Sequence, residues 1–518
     1  MDRPASAGMA DRRRACRGDR VVSASTTATA GKGGKRMGMA SAIYVGGALL
    51  AKVAKFLLVP FYVHYLTLAE VGIVVFLQAV SYALARVFPL GLGQAVKRYY
   101  VEFDDVFEAD RFTAGIWWTV TAAAVGLAAL LMGTAPIWGQ VIGSQIATSL
   151  IVLAVADAAL QGIGTIPLMR YIVRQEPMAH SAFSIVQIVS VTAAVVLFVA
   201  GFGWGVEGVI WGEIVGYGVW ALASAVIVNA PARWRPTFGR LREAFRYSIV
   251  LLPHLVFVWG ITFADRLILE AQVSLDALGV YGVGYQMATV LTMVSIAISN
   301  AWLARFFRTG EGEGGSAEYA RTFSAISILT LFLALGLFVF ADEIIAVVAN
   351  REYAGAVLIL RLVVVAHVFH AANQFFMLPL FLVKQTRHIS TSTGLGLVVN
   401  VVANLLLIPA LGIVGAAAAT IAGYLAATLS SFAFARRGYP VRPEWRALAI
   451  AAAVATALAV AALALPLHGG SILAILAKLG LCVAFPLVLL LWPGRPVLDR
   501  ADLSKLTRQL PGIGRRSG

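Results

Sequence analysis

The residues of this chain best suited to chemistry are ionisable side chains set inside long apolar runs. Lys52 and Lys55 stand three apart in one run, Arg86 lies in the next, and Arg98 follows just beyond its end. A spacing of three puts the two lysines on one face of a helix. A Lys or Arg at the centre of a membrane helix costs about 2.5–3.5 kcal/mol on insertion scales, which marks such residues as functional. Three cations on adjacent runs describe a site for an anion. The alternative is snorkelling to the interface, or pairing with Asp157 and Glu213. Asp265 and Arg266 form a second group. Adjacent helical residues point about 100° apart, so these two are expected not to pair with each other. One would face a cavity while the other bonds to another helix. Lys478 is expected to snorkel, and Arg361 to be interfacial. His254, His367 and His370 stand isolated on apolar runs and are expected to be packed or hydrogen-bonded interior histidines. There is no phosphate-binding Gly-rich loop with Lys-Ser/Thr and no His/Cys metal spacing, so no catalytic residue, metal site or cofactor is expected.

The elements that must position these residues follow from composition. Of 518 residues, 60% are hydrophobic and 13% charged, and the mean hydropathy is +0.83. A soluble domain carries about 25% charged residues. So few charges cannot cover a water-soluble surface, which excludes a soluble enzyme, a nucleic-acid-binding protein and a disordered scaffold. Cys16 and Cys482 are too far apart in sequence and setting to suggest a disulfide framework. A membrane helix needs about 20 apolar residues. Such runs recur at 41–63, 70–93, 112–133, 144–168, 180–201, 207–229, 247–271, 278–303, 323–341, 355–383, 389–409, 413–434, 447–467 and 471–492. The expected fold is an all-α polytopic membrane protein of about fourteen helices.

The charged loops support this count. Alternate connections carry nearly all of the loop Lys and Arg, whereas Arg351 stands alone on the other side. Basic loops mark the cytoplasmic face, so both termini are expected there. The net charge of +15 is then mostly a topological signal. Residues 1–40 are Arg-, Ser-, Gly- and Ala-rich with no apolar run, and so lack the core of a secretory signal. They read as a disordered basic cytoplasmic tail, although Met37 and Met39 also offer start sites just before the first run.

One internal repeat is visible. Thr67-Leu68-Ala69-Glu70-Val71-Gly72 returns as Ser274-Leu275-Asp276-Ala277-Leu278-Gly279, and Gly205, Gly208, Gly216 and Tyr217 return as Gly412, Gly415, Gly423 and Tyr424. Both blocks have the same gapless offset of 207 positions. Thr67 and Glu70 make a capping box, Ser274 can cap its own helix, and the glycines allow close helix packing or a tight turn. The expected organisation is a six-helix lobe at 41–229, a cytoplasmic loop at 230–246, a second six-helix lobe at 247–434, accessory helices at 447–492 and a tail at 493–518. Six spans separate the copies, so the lobes are parallel repeats enclosing a central cavity.

At this point the chain resembles a known family. Pro60-Phe61-Tyr62, Tyr65-Leu66-Thr67 and Gly72 follow the Lys-bearing first run. Leu90-Gly91-Leu92-Gly93, Arg98-Tyr99-Tyr100, Arg246-Tyr247-Ser248 with Leu252-Pro253, Asp265-Arg266 before Leu278-Gly279-Val280-Tyr281, and Leu411-Gly412-Ile413-Val414-Gly415-Ala416 follow in order. Over roughly 41–440 this is similar to the O-antigen and exopolysaccharide repeat-unit flippases of the multidrug/oligosaccharidyl-lipid/polysaccharide exporter superfamily. The resemblance implies a bacterial inner-membrane protein that moves an undecaprenyl-pyrophosphate-linked oligosaccharide outward by alternating access, coupled to an ion gradient or the membrane potential. It implies membrane lipids, the polyprenyl-pyrophosphate-linked glycan, and a polymerase and glycosyltransferases of the same pathway as partners, and no nucleic acid. Lys52, Lys55, Arg86, Arg98, Asp265 and Arg266 become cavity residues, with Asp157 and Glu213 as counter-charges. A lipid II flippase and a drug or metabolite exporter are the rival readings. If residues 2–36 are only a tail, deleting them leaves transport intact in a complementation assay, and lost activity would give that segment a role.

Overall fold

The computed structural model describes Phe56 and residues 58–491, apart from 310, 311, 313, 384 and 466–470. Among these there is no strand, and thirteen helices are long and apolar enough to cross a membrane. Each matches one expected run from the second onward. The first expected span, with Lys52 and Lys55, lies outside the described residues except for its end, α1 (58–65).

The first half continues with α2 (Leu68–Val87), α3 (Leu92–Tyr99), α4 (Val106–Ile142), α5 (Thr148–Ile163), α6 (Ile166–Val173), α7 (Pro177–Val196) and α8 (Gly205–Asn229). The second half is α9 (Leu241–Gln272), α10 (Leu275–Thr309), α11 (Gly315–Val339), the short α12 (Ala341–Val348), α13 (Ala356–Leu382), α14 (Thr386–Leu411) and α15 (Ile413–Gly438). Two further helices follow, α16 (Trp445–Ala464) and α17 (Ile472–Leu491). Leu222, Val226, Leu406 and Leu473 are among many large apolar side chains left exposed, as a lipid-facing surface requires.

Two expected spans are broken rather than continuous. The second ends at Val87, because Pro89 has no N–H to donate and Leu90 and Gly91 take left-handed φ of 52° and 70°. The fourth divides at Gly164-Thr165, and Pro167 opens α6 where a missing N–H does no harm. The capping box is present as expected: the Glu70 amide donates to Thr67 Oγ1 at 3.3 Å, and the Thr67 amide donates to a Glu70 carboxylate oxygen at 2.9 Å. Ser274 Oγ caps α10 by accepting from the Ala277 amide at 3.2 Å.

The two copies of the repeat meet at corresponding residues. A Cβ on Gly72 would stand 2.0 Å from the Leu275 carbonyl oxygen and 3.2 Å from the Gly279 nitrogen. A Cβ on Gly279 would stand 2.4 Å from the Leu68 carbonyl oxygen and 3.1 Å from the Gly72 nitrogen. These contacts exchange under the 207-residue offset, so α2 and α10 cross backbone to backbone on a local two-fold. The crossing lies at the ends of α2 and α10 remote from the basic loops. The second repeated block also does the same work twice: Gly216 lies against the Val191 backbone in the α7–α8 hairpin, and Gly423 against Asn400 and the Gly396 carbonyl in the α14–α15 hairpin.

The accessory helices are fixed by charge, which corrects the expectation for Lys478. Its side chain does not snorkel; it is buried on α17 with Nζ 2.7 Å from Glu343 and 3.6 Å from Asp342, both on α12. Arg361 on α13 reaches the same α12, with Nη2 2.7 Å from Asp342. Two carboxylates in the first turn of α12 supply a partner that a view of one helix could not reveal. Removing one member of a buried pair costs about 3–5 kcal/mol, and less where the remaining charge is wetted, as Glu343 is at 20% exposure.

Two predictions follow from this packing. Lys478→Ala should lower thermal stability by about 1–3 kcal/mol, at or below the bottom of the buried-pair range, while Lys478→Arg should retain most of it in a melting experiment. In a background free of native cysteines, Gly72→Ala with Gly279→Ala should make Val71→Cys react several-fold faster with an impermeant maleimide added from the face opposite the basic loops. Unchanged labelling would show that the glycine crossing does not close that face.

Candidate functional site

A cavity of about 490 Å³ lies between the two halves of the molecule. Its walls come from α1, α2, α7 and α8 on one side and α9, α10, α13 and α15 on the other. Gly282 and Ile296 mark its reach along α10, fourteen residues or about 21 Å of helix. Beyond its Val71 end lies the Gly72–Gly279 crossing. The polar lining includes Gln78, Tyr82, Gln187, Thr192, Glu213 and Tyr217 on the first side, and Thr262, Arg266, Tyr285, Gln286, His367, Gln374 and Tyr424 on the second. The repeat organises it. Val75, Gln78 and Tyr82 on α2 correspond at the 207 offset to Gly282, Tyr285 and Thr289 on α10, Tyr217 corresponds to Tyr424, and all of these face the cavity.

The structure separates the expected site residues into different places. Lys52 and Lys55 lie outside the described residues. Arg86 is exposed in the last turn of α2 and does not line the cavity. Arg98 is exposed at the end of α3, where it pairs with Glu102, and Glu102 also accepts from Arg240 at 2.7 Å across to the start of α9. The Arg240 hydrogen bond, with Arg98 close by, holds the Glu102 carboxyl below its usual range. Arg98 therefore belongs to the basic surface. Asp157 is fully buried in α5 and accepts from Gln161 Nε2 at 2.7 Å. Glu213 does face the cavity, accepting from Gln78 Nε2 at 2.8 Å.

Asp265 and Arg266 correct a second expectation. They pair with each other: Arg266 Nη1 lies 2.6 Å from Asp265 Oδ1, and both side chains are buried. The 100° rule describes where Cβ atoms point, and a guanidinium on a long stem can turn back along the helix. Arg266 Nη1 also donates to the Thr262 carbonyl at 2.6 Å, one turn earlier, and the Tyr281 hydroxyl donates to Asp265 Oδ2. The Arg266 guanidinium carbon stands 3.9 Å from the centre of the Tyr285 ring, a cation–π contact strengthened by exclusion of water. Arg266 reaches the cavity, yet its charge is already matched by Asp265. The described wall thus holds one neutralised cation and one carboxylate, and is more polar than positive.

Two features escape a reading of single residues. The buried Glu270, near the end of α9, accepts the Gln145 amide at 2.6 Å and the Ser144 hydroxyl at 3.4 Å, while Gln145 Nε2 donates to the Val273 carbonyl at 2.9 Å. This clasps the α4–α5 loop to the second half on the same face as the glycine crossing. His367 is packed as expected but not hydrogen-bonded: it lines the cavity with both ring nitrogens lacking a partner. The repeat offset was the signal that could have found Gln78, Tyr285 and Tyr424 together. No sequence signal ties Gln145 to Glu270.

Comparison with known proteins fits this geometry. The polysaccharide biosynthesis protein family profile matches residues 55–358. The chain is 21% identical over 189 residues to the probable low-salt glycan biosynthesis flippase Agl15 of Haloferax volcanii, a match spanning 36% of this chain and 40% of that protein. The chain therefore aligns with about two fifths of that relative's length. Among solved structures, the lipid II flippase MurJ in an inward closed conformation superposes with a TM-score of 0.67 at 12% identity, covering 86% of this chain and 97% of that one. An inward-facing multidrug resistance MATE family transporter of the MOP superfamily gives 0.63 at 13% identity, covering 74% and 94%. At these identities the likeness shows the shared fold. With the profile covering more than half its length, the chain belongs to the polysaccharide biosynthesis protein family.

Proposed function

We propose that this chain is a flippase that carries an undecaprenyl-pyrophosphate-linked oligosaccharide across the bacterial cytoplasmic membrane, glycan first into the cavity and lipid tail left in the bilayer. The observation that carries the reading is a cavity with polar groups on both walls, at the seam of two repeated halves and closed at one end by a glycine crossing. Such a seam can open on one face as it closes on the other, which is what moving a polar head group across hydrocarbon requires. The basic loops mark the cytoplasmic face, so the closed end faces outward and the head group enters from inside. Membership of a polysaccharide biosynthesis family and the likeness to the flippases Agl15 and MurJ support the same class of cargo.

The described wall carries the Glu213 carboxylate and an Arg266 already matched by Asp265, so it is not itself an anion site. The positive charge that a diphosphate requires is assigned to Lys52 and Lys55, with Arg86 and Arg98 on the approach from the basic face. The cavity volume lies within the range of small-molecule sites, about 300–1,000 Å³.

The test is the triple variant Lys52→Ala, Lys55→Ala and Arg86→Ala. It should insert at wild-type levels and flip the lipid-linked oligosaccharide at least tenfold more slowly in proteoliposomes. Full transport would overturn the assignment of the anion site to these residues.

A further inference from the structure

The second-half wall of the cavity contains a group of side chains that charge recognition does not explain. His367 is 3% exposed, lines the cavity, and has neither ring nitrogen hydrogen-bonded. Thr292 Oγ1, also on the lining, is buried and equally without a partner. Aromatic rings surround His367. Tyr285 meets His367 edge-on at 5.7 Å, Tyr424 lies 6.2 Å from His367, and His370 lies 4.6 Å from Tyr424. Arg266 sits over Tyr285, facing Asp265 and the Thr262 carbonyl.

Buried polar atoms are normally satisfied, so unpartnered atoms left open on one cavity wall point to a ligand. Its chemistry follows from the inventory of donors and acceptors. A neutral imidazole offers one donor and one acceptor, and a threonine hydroxyl offers both. A phosphate oxygen only accepts and an ammonium only donates, so either would leave half of this set unmet. An alcohol meets both halves. The rings suit the C–H face of a sugar, and the Glu213 carboxylate across the cavity accepts hydroxyl groups while repelling phosphate.

We propose that the wall centred on His367, Thr292, Tyr285 and Tyr424 is a sugar-binding subsite that takes one uncharged, hydroxyl-bearing ring of the glycan, with the diphosphate held apart from it. This inference rests on the lipid-linked glycan reading above.

The test measures binding to the full-length protein in nanodiscs prepared without glycoside detergents. The two probes are bare undecaprenyl diphosphate and the lipid-linked oligosaccharide extracted from the source cells. Wild type should bind the glycan lipid at least tenfold more tightly than the bare lipid. His367→Phe keeps the ring and removes both nitrogens; it should lose that margin with affinity for the bare lipid and melting temperature unchanged. His367→Gln, which restores a donor and an acceptor, should recover much of it. If His367→Phe keeps the full margin, as it would were water the partner of His367, the subsite is overturned. A wild-type protein that binds neither probe overturns the lipid-linked reading itself, and a variant that loses both probes shows a structural role and overturns the subsite.

Discussion

The contact on which the architecture turns is the crossing of α2 and α10 at Gly72 and Gly279. No side chain separates the helices there; each glycine faces the carbonyl of the residue that opens the other helix, Leu275 or Leu68. In hydrocarbon there is no hydrophobic force between helices, so association depends on close packing and on polar contacts shielded from lipid. A glycine pair on a local two-fold supplies the first. The Glu270 clasp on the α4–α5 loop supplies the second on the same face. On the basic face the halves meet as well: Gly91 lies against the Ser248 carbonyl, the Tyr99 ring meets Tyr247 edge-on, and Glu102 accepts from Arg240.

The buried cations Arg170, Arg266 and Lys478 follow one rule: each has an acceptor close enough to share its desolvation. Arg266 has Asp265 and the Thr262 carbonyl, Lys478 has Glu343, and the buried Arg170 makes a two-point contact with Asp110 at 2.8 and 3.1 Å. Pairing fixes helices to one another, and it also removes these cations from cargo binding. What remains on the cavity wall is a largely apolar lining, with residues such as Val74, Val191 and Ile296, set with the Glu213 carboxylate and with amide, hydroxyl, phenol and imidazole groups.

Most of the fold was legible in the sequence because the bilayer enforces a simple rule on length and polarity, and thirteen spans follow it. The capping box at Thr67 and the repeated glycines were legible for the same reason, since each depends on local spacing or a fixed offset. The breaks at Pro89 and Gly164 were not, because apolar composition hides a kink. The site was only half legible. Ionisable residues stood out by cost, but whether Lys478 snorkels or Arg266 is neutralised depends on α12 and on Thr262, Asp265 and Tyr281, whose positions spacing along one helix does not give. His367 reads from sequence as an interior histidine like His254, because what distinguishes it, two unpartnered ring nitrogens on a cavity wall, is a property of three-dimensional surroundings.

The functional account joins these parts. Repetition builds two halves, glycine lets them close on one face, and the cavity between them, with polar groups on both walls, is the proposed site for a head group that cannot cross lipid alone. Its central claim is that the protein moves a glycan head group from one leaflet to the other. The most direct measurement reconstitutes the protein in liposomes carrying the lipid-linked oligosaccharide from the source cells in both leaflets, then adds a glycosidase outside. The account predicts that protein-containing liposomes lose nearly all of the glycan, because the protected inner pool is flipped outward, while protein-free liposomes stop near half. Protection of half the glycan in both, with the protein folded and inserted, would contradict it.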